Sequence, residues 1–496
     1  MELKPLRIIA LLLILCAGVQ ASAEPFTFQH SAKNPVVASG GANPWHFLSA
    51  NPTAVKFKGK VFFYFRGIAV PGGPSTISVW TSDFAGFNGV KWNTAPTQNP
   101  ILVPGEVDSY DPNHIENPDA VVFQNKVFLY YMAVKNGVGN ICLATSEDGL
   151  HFTKRGQVLS GAGTSGSVVN PADGKLYLFF SHRATNNKGW EYHVIPSADG
   201  LVFDRALEKT VLQPTDKGIA FDAQSISTVR ILREGRYFYM TYAGCPTTED
   251  YPEAIGLARS TDLYRWERYP IPICLRGATG TWNEGAMWSG ALLNVNDVYY
   301  LWYEGCGTNA GAGTNVSNLA RNTSYGAYGS GSFSQIGLAT YQGPPGALTD
   351  WNADFNAGPY SLKNINSGLF LEVAGQQEGN GGPAAQFSWW GGDNQKWLIE
   401  RVSGFYKITN VHSKKALETG GGSQVNGGIS MQWTWNETPN QQWHIVPLAN
   451  GQINILNRWS GMSLEVSGQS VALSAPVDQW TWWGGSNQRW KLTTAP

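Results

Sequence analysis

The sequence predicts an all-β chain built from two sets of internal repeats: a five-bladed β-propeller over the N-terminal two-thirds and a three-unit array behind it. Three observations lead there. Residues 50–65 read Ala-Asn-Pro-Thr-Ala-Val-Lys-Phe-Lys-Gly-Lys-Val-Phe-Phe-Tyr-Phe, and residues 116–131 read Glu-Asn-Pro-Asp-Ala-Val-Val-Phe-Gln-Asn-Lys-Val-Phe-Leu-Tyr-Tyr, one segment written twice. Weaker copies at 165–180, 227–242 and 288–303 keep the same order of apolar strand, Gly/Asn turn and aromatic-rich strand, which is the pattern of a hairpin. Near the C-terminus Asn394-Gln395-Lys396-Trp397, Asn440-Gln441-Gln442-Trp443 and Asn487-Gln488-Arg489-Trp490 recur at steps of 46 and 47 residues, a period that signals stacked or symmetric units.

Taken from the N-terminus, the first element is a secretory signal over residues 1–23. Lys4 and Arg7 supply the charged region, Ile8 to Leu15 the apolar run, and Ala21, Ser22 and Ala23 the small-residue cleavage site. The apolar run is too short to span a membrane. Leu15 occupies the place where a lipoprotein reading of Cys16 would need a small residue. The expectation is cleavage after Ala23 and a secreted protein, extracellular or periplasmic. Cys142, Cys245, Cys274 and Cys306 then remain, in no zinc-like spacing; one bridge with two buried thiols and two bridges both fit an exported chain. A formal charge of −1 with 14% charged residues leaves no electrostatic footprint for nucleic acid or an anionic membrane. The 57 Gly and 20 Trp suit a loop-rich β protein that handles sugars, since aromatic faces stack on the C–H faces of pyranose rings.

The propeller is expected over residues 24–342. Most hairpin copies are followed by a third strand and a tight turn, as in Ser146-Glu147-Asp148-Gly149, Ser197-Ala198-Asp199-Gly200 and Ser260-Thr261-Asp262-Leu263, with an earlier copy at Trp80-Thr81-Ser82-Asp83. Asp-Gly supplies the positive-φ turn and the closing aromatic starts the outer strand. Five such units without an amphipathic helix between them argue for five blades. Residues 307–334 form an unusually long Gly/Asn-rich loop carrying sequon-like Asn315 and Asn322, and long loops tend to serve as lids or binding walls. Gly343-Pro344-Pro345-Gly346 opens a linker over 343–356 and reads as a short stiff hinge.

The blade pattern over roughly 40–342 resembles the five-bladed glycoside hydrolases related to families 43, 32 and 68. That resemblance implies a site where the innermost strands begin, around a central funnel, and a pair of carboxyl groups that act as acid and as base or nucleophile. Blade 1 offers Asn51-Pro52 where relatives commonly carry Asp-Pro, and blade 3 offers no acid, so the usual triad does not carry over. Acids do stand at other blade starts: Asp111, Glu116 and Asp119 in blade 2, Asp222 in blade 4 and Glu284 in blade 5. A carboxylate before an apolar strand is costly unless the site uses it. Asp222 and Glu284 are expected as the acid/base pair, with Glu116 in reserve. Asp119, in a Pro-Asp step like that of relatives, is expected to orient substrate. Asn51, His46, His114 and His182 with Arg183 are placed in the funnel, and Trp45, Trp190 and Trp288 as sugar-stacking walls. No metal and no cofactor are expected.

The C-terminal array, residues 357–496, resembles the ricin-type β-trefoil lectins, family-13-like among carbohydrate-binding modules. The fold class expected for the whole is therefore all-β, a five-bladed β-propeller followed by a β-trefoil. The resemblance implies an acid, an aromatic and an Asn seven residues later in each unit. Residue by residue these are Glu372, Phe387 and Asn394; Glu418, Trp433 and Asn440; and Glu465, Trp480 and Asn487. Asp is commoner than Glu at the first position. Trp397, Trp443 and Trp490 are expected to fill the core, while Trp389, Trp435 and Trp482 stand where many relatives have cysteines. The function these features imply is a secreted, monomeric glycoside hydrolase acting on a plant or microbial poly- or oligosaccharide, arabinan or xylan first, with a lectin module that holds it near polymer. The resemblance favours inversion for that branch. Its rivals are a non-catalytic carbohydrate-binding protein, and a propeller transglycosylase or phosphorylase.

Overall fold

The computed structural model describes residues 28–38, 48–70, 73–106, 109–112, 114–135, 137–163, 165–185, 187–214, 221–248, 250–269, 271–277, 281–307, 334–349, 358–402 and 405–495. The expected signal segment, Trp45, His46, Asn315, Asn322 and most of the long 307–334 loop lie outside the described residues. Within them there is no α-helix, only strands and short 3-10 turns.

After a two-residue strand, β1 (Gln29–His30), five antiparallel sheets follow, one per hairpin repeat. The first holds β2 (Leu48–Phe57), β3 (Lys60–Ile68) and β4 (Ser75–Asp83). The second holds β5 (His114–Phe123), β6 (Lys126–Lys135), β7 (Val138–Ser146) and β8 (Thr153–Ser160). The third runs β9 (Ser165–Asn170), β10 (Lys175–Arg183), β11 (Trp190–Ser197) and β12 (Lys209–Leu212). The fourth has β13 (Ser225–Glu234), β14 (Tyr237–Cys245) and β15 (Ala254–Ser260), with short β16 (Glu267–Arg268) and β17 (Cys274–Leu275) both on β15. The fifth has β18 (Ala286–Val295), β19 (Val298–Cys306) and β20 (Gln335–Gln342), and it takes β1 as its outer strand, Gln29 opposite Thr340. The innermost strands β2, β5, β9, β13 and β18 touch in that order and β18 returns to β2. This is a closed five-bladed propeller whose last blade is completed by the N-terminal strand.

Two local devices recur from blade to blade. The Ser-x-Asp turn is built as its chemistry requires: Asp148 accepts the N–H groups of Leu150 and His151 at 2.8 and 2.9 Å, and Ser146 accepts that of Gly149 at 2.8 Å. The preceding blade clasps it, since the Tyr64 hydroxyl donates to the Gly149 carbonyl at 2.9 Å and Tyr130 to that of Gly200 at 2.7 Å. Gly149 has φ +79, and a Cβ there would meet the Phe62 ring at 2.7 Å, so both backbone and packing demand glycine. The second device is a bulge in four of the innermost strands, between Ala50 and Thr53, Glu116 and Asp119, Ser227 and Val229, and Ser289 and Leu292. In the first two it is made by Asn-Pro, with Asn51 and Asn117 at φ +47 and +49. Asn tolerates that region, and proline has no N–H to lose from the ladder. A bulge bends its strand and re-aims side chains; here Asn51, Asn117, Ser227 and Thr228 at the bulges line the central cavity.

The remaining strands form three like units: β21 (Tyr360–Asn364), β22 (Phe370–Val373), β23 (Ala384–Phe387) and β24 (Trp397–Val402); β25 (Phe405–Asn410), β26 (Ala416–Thr419), β27 (Gly428–Trp433) and β28 (Trp443–Leu448); β29 (Gln452–Asn457), β30 (Ser463–Val466), β31 (Val477–Trp480) and β32 (Trp490–Thr494). β21 pairs with β32, β25 with β28 and β29 with β32, which closes a β-trefoil. Trp397, Trp443 and Trp490 are fully buried, and their indole N–H groups donate to the carbonyls of Leu371, Leu417 and Leu464 at 3.1, 3.0 and 3.0 Å. The Gln-x-Trp motif is therefore the trefoil's core and its internal brace.

One expectation is corrected. All four described cysteines are buried free thiols, so neither disulfide scheme holds. Residues 343–346, expected as a stiff hinge, are held by hydrogen bonds. Gly343 is bonded to Asp297 and Asn294, the Pro344 carbonyl accepts from Tyr299 at 3.1 Å, and Gly346 N–H donates to Glu234 at 2.8 Å. Backbone groups at a buried junction need partners, and the last two blades supply them. Val446, Leu448 and Leu456 of the trefoil share one apolar cluster with Tyr239, Tyr299 and Leu348.

Candidate active site in the propeller funnel

The bulged strand starts and the ends of the second strands enclose a cavity of about 1090 Å³. Of the sequence-predicted residues, Asn51, Glu116, His182, Trp190 and Trp288 line it. Two acids not singled out from the sequence, Asp250 and Glu304, line it as well.

Glu304 stands two residues before the end of the apolar strand β19 and is 2% exposed. Its Oε2 accepts the backbone N–H and the side-chain amide of Asn51 at 3.0 and 2.6 Å, and its Oε1 accepts the Ser334 hydroxyl at 2.6 Å. Burial raises its pKa, against the pull of Ser334, Arg66 and Asn51. Glu116, on β5, is ion-paired with Arg66 of β3 at 2.9 Å, and Arg66 is steadied by Ser75 at 2.7 Å. Asp250 lies between β14 and β15, where the Trp288 indole N–H donates to it at 3.1 Å. Its pKa is raised, chiefly because protein surrounds it; the Glu116 charge adds to the rise, while Ser227, Trp288 and Arg183 oppose it. The surface Asp250 exposes is cavity wall, so water reaches it and moderates the rise. The charges of Glu116 and Asp250 and of Asp250 and Glu304 act on one another, which makes the three carboxyls one electrostatic group.

The expected pair Asp222 and Glu284 does not line the cavity. Asp222 accepts from the Tyr242 hydroxyl at 3.0 Å and is ion-paired with Arg268 of β16 at 3.1 Å, which turns it into its own blade. The same arrangement occurs in blade 2, where Asp111 accepts from Tyr131 at 2.9 Å and from Lys154 of β8 at 2.6 Å. In blade 5 Asn283 stands against Tyr303 at 3.4 Å. Asp222 and Asp111 are thus recurrent braces between the segment before a blade and that blade's second and outer strands. Glu284 is half-buried in the turn that precedes β18, its N–H on the Thr281 carbonyl at 3.3 Å. Asp119 is also turned away from the funnel. It is buried against Arg230 at 3.4 Å and accepts the Ser167 hydroxyl, and burial lifts its pKa to about 6 in spite of both. Arg230 in turn donates to the carbonyls of Ser165, Val229 and Pro118 at 2.9, 2.8 and 2.9 Å, so the pair ties blades 2, 3 and 4 together. His114 stands outside the lining, at the start of β5.

In the trefoil each expected acid meets its expected Asn or the Gln beside it. Gln395, Gln441 and Gln488 donate to Glu372, Glu418 and Glu465 at 3.1, 2.9 and 2.9 Å. Asn394, Asn440 and Asn487 hold the carbonyls of Val373, Thr419 and Val466 at 3.0, 3.1 and 3.1 Å. The glutamates are buried, and Trp433 and Trp480 are exposed while Phe387 is half-buried. The third unit departs from the other two. Opposite Glu465 stands Asp478, where Glu372 faces Ala385 and Glu418 faces Met431. Burial and the Asp478 charge push Glu465 up to about 7, and burial pushes Asp478 up to about 6.

Residues 349–433, 393–480 and 439–496 match the ricin-type beta-trefoil lectin domain-like family, and the C-terminal unit is a ricin-type trefoil. No curated protein matches the chain. Among solved structures, the chain is similar to the designed three-fold symmetric protein ThreeFoil, 36% identical over 27% of this chain and 98% of that one, TM-score 0.27. It is similar to an exo-β-1,3-galactanase from Clostridium thermocellum, 19% identical over 94% of this chain and 98% of that one, TM-score 0.37. It is also similar to a family-43 β-1,3-galactosidase, 14% identical over 96% of this chain and 94% of that one, TM-score 0.44.

Proposed function

We propose that the chain is a secreted glycoside hydrolase that works in the propeller cavity and uses its trefoil to stay on a polymeric glycan. The observation that carries the reading is the gathering of Glu116, Asp250 and Glu304 in one cavity with unlike surroundings. Hydrolysis of a glycosidic bond needs one carboxyl that gives a proton to the leaving oxygen and one that takes a proton from water. Asp250, raised by burial and open to cavity water, suits the acid that protonates the leaving oxygen. Glu116, beside the Arg66 guanidinium, suits the base that takes a proton from the attacking water. Glu304, with both oxygens engaged, is a positioning residue that holds the Asn51 amide on the cavity wall. Trp288 and Trp190 add aromatic surface to the cavity wall. Arabinan and xylan head the substrates the sequence resemblance implies.

The test is hydrolysis of arabinan, xylan, galactan and aryl pentosides by the full chain across pH. Release of sugar is expected, with an alkaline limb lying above the range of an ordinary aspartic acid, because the acid must stay protonated and Asp250 is raised. Binding of polysaccharide without turnover on any substrate would favour the binding-protein reading instead. That reading draws on Asn51, which stands where relatives carry an acid.

A further inference from the structure

The cavity carries a cation whose part in the hydrolytic reading is limited to its charge acting on Asp250. Arg183 ends β10 and lies opposite Trp190 across the β10–β11 hairpin, with its guanidinium 4.4 Å from the Trp190 ring centre. It lines the cavity and is exposed to it. Among the described residues no carboxylate or carbonyl bonds it. The neighbouring cations are already engaged: Arg66 by Glu116 at 2.9 Å, and Lys188 by the Ala223 carbonyl at 2.6 Å. The hairpin below is anchored, since Ala184 N–H bonds Gly189 at 3.0 Å and Gly189 N–H bonds Gln224 at 2.7 Å. A guanidinium held over an indole by cation–π attraction keeps its edge donors available. Such a planar fork on a cavity wall matches an oxyanion with two oxygens.

We propose that Arg183 binds an oxyanion in the propeller cavity, either a carboxylate or sulfate ester carried by the glycan or free phosphate. This deepens the hydrolase reading and rests on it for the site, though not for the chemistry. Where the glycan carries the oxyanion, the substrate is an acidic sugar with its charged group on the blade-3 wall and its glycosidic bond toward Asp250 and Glu116.

The experiment measures binding to the full chain, at fixed ionic strength, of methyl glucuronide, methyl galacturonide, a sulfated methyl galactoside and inorganic phosphate. Neutral methyl glucoside and methyl galactoside serve as references. Wild type is compared with Arg183→Gln and Arg183→Lys, and hydrolysis of the neutral panel is followed in parallel. At least one anionic probe is expected to bind wild type about tenfold to a hundredfold more tightly than Arg183→Gln. Arg183→Lys should fall between them, because it keeps charge but loses the fork. Dependence on Arg183 for the acidic sugars alone identifies the glycan as the source. Dependence for phosphate, with sugar phosphate released in place of free sugar, keeps the oxyanion site and overturns hydrolysis. If every probe binds wild type and Arg183→Gln equally, the inference is wrong, whether or not the neutral panel is hydrolysed.

Discussion

Tyr303-Glu304-Gly305-Cys306 and Tyr242-Ala243-Gly244-Cys245 are the same strand end in two blades, and the one difference between them is the acid that reaches the cavity. Glu116 likewise stands where the blade-1 copy has Ala50. Both cavity acids on strands are therefore departures from the repeat. Asp222 and Asp111 are the reverse, acids that recur at one blade position because each caps a tyrosine and meets a cation. Comparison of the copies separates the two kinds, whereas a place before an apolar strand is common to both. Asp119 is of the bracing kind, at a buried position. Removing it leaves the Arg230 guanidinium buried without its ion-pair partner, which costs about 3–5 kcal/mol. Asp119→Ala is thus expected to lower unfolding free energy by that amount in denaturant melts, where a substrate-orienting role would raise KM and leave stability in place.

At the scale of the element, the hairpins, the Ser-x-Asp turns and the three Gln-x-Trp units were legible because each is repeated and each has a chemical reason at a fixed offset. What the sequence hid was the loop between β14 and β15, which carries Asp250: it belongs to one blade only and has no copy to be read against. The third trefoil unit hides a similar departure in Asp478. Glu465 and Asp478 sit opposite each other, buried, with pKa values raised to about 7 and about 6. A carboxyl that holds its proton more tightly when folded stabilises the fold below its unfolded pKa, and that stability is lost as pH rises through the folded value. The trefoil should therefore lose stability between about pH 4 and pH 7. Asp478→Asn is expected to flatten that decline and to raise the thermal midpoint at pH 8 by roughly 2–4 °C, read by calorimetry. An unchanged slope would mean that both carboxyls are ionised without cost.

For the molecule as a whole, the two repeats divide the labour. The trefoil spends its symmetry on a core of three tryptophans, and the propeller spends its own on a ring whose axis is left open. The residues that break the ring's symmetry gather there. The trefoil lies against the last blades through Val446, Leu448 and Leu456; in the proposed function, a lectin that holds glycan raises its local concentration without new chemistry. The claim that the symmetry-breaking carboxyls do the work is tested most directly by one comparison, the rate of glycan hydrolysis by Glu116→Gln, Asp250→Asn and Asp222→Asn beside wild type, each checked for folding. Loss of a general acid or base is expected to cut kcat/KM by about a hundredfold or more in the first two, while Asp222→Asn loses stability and keeps most of its rate. If Asp222→Asn abolishes hydrolysis while Glu116→Gln and Asp250→Asn retain it, the chemistry does not take place in this cavity.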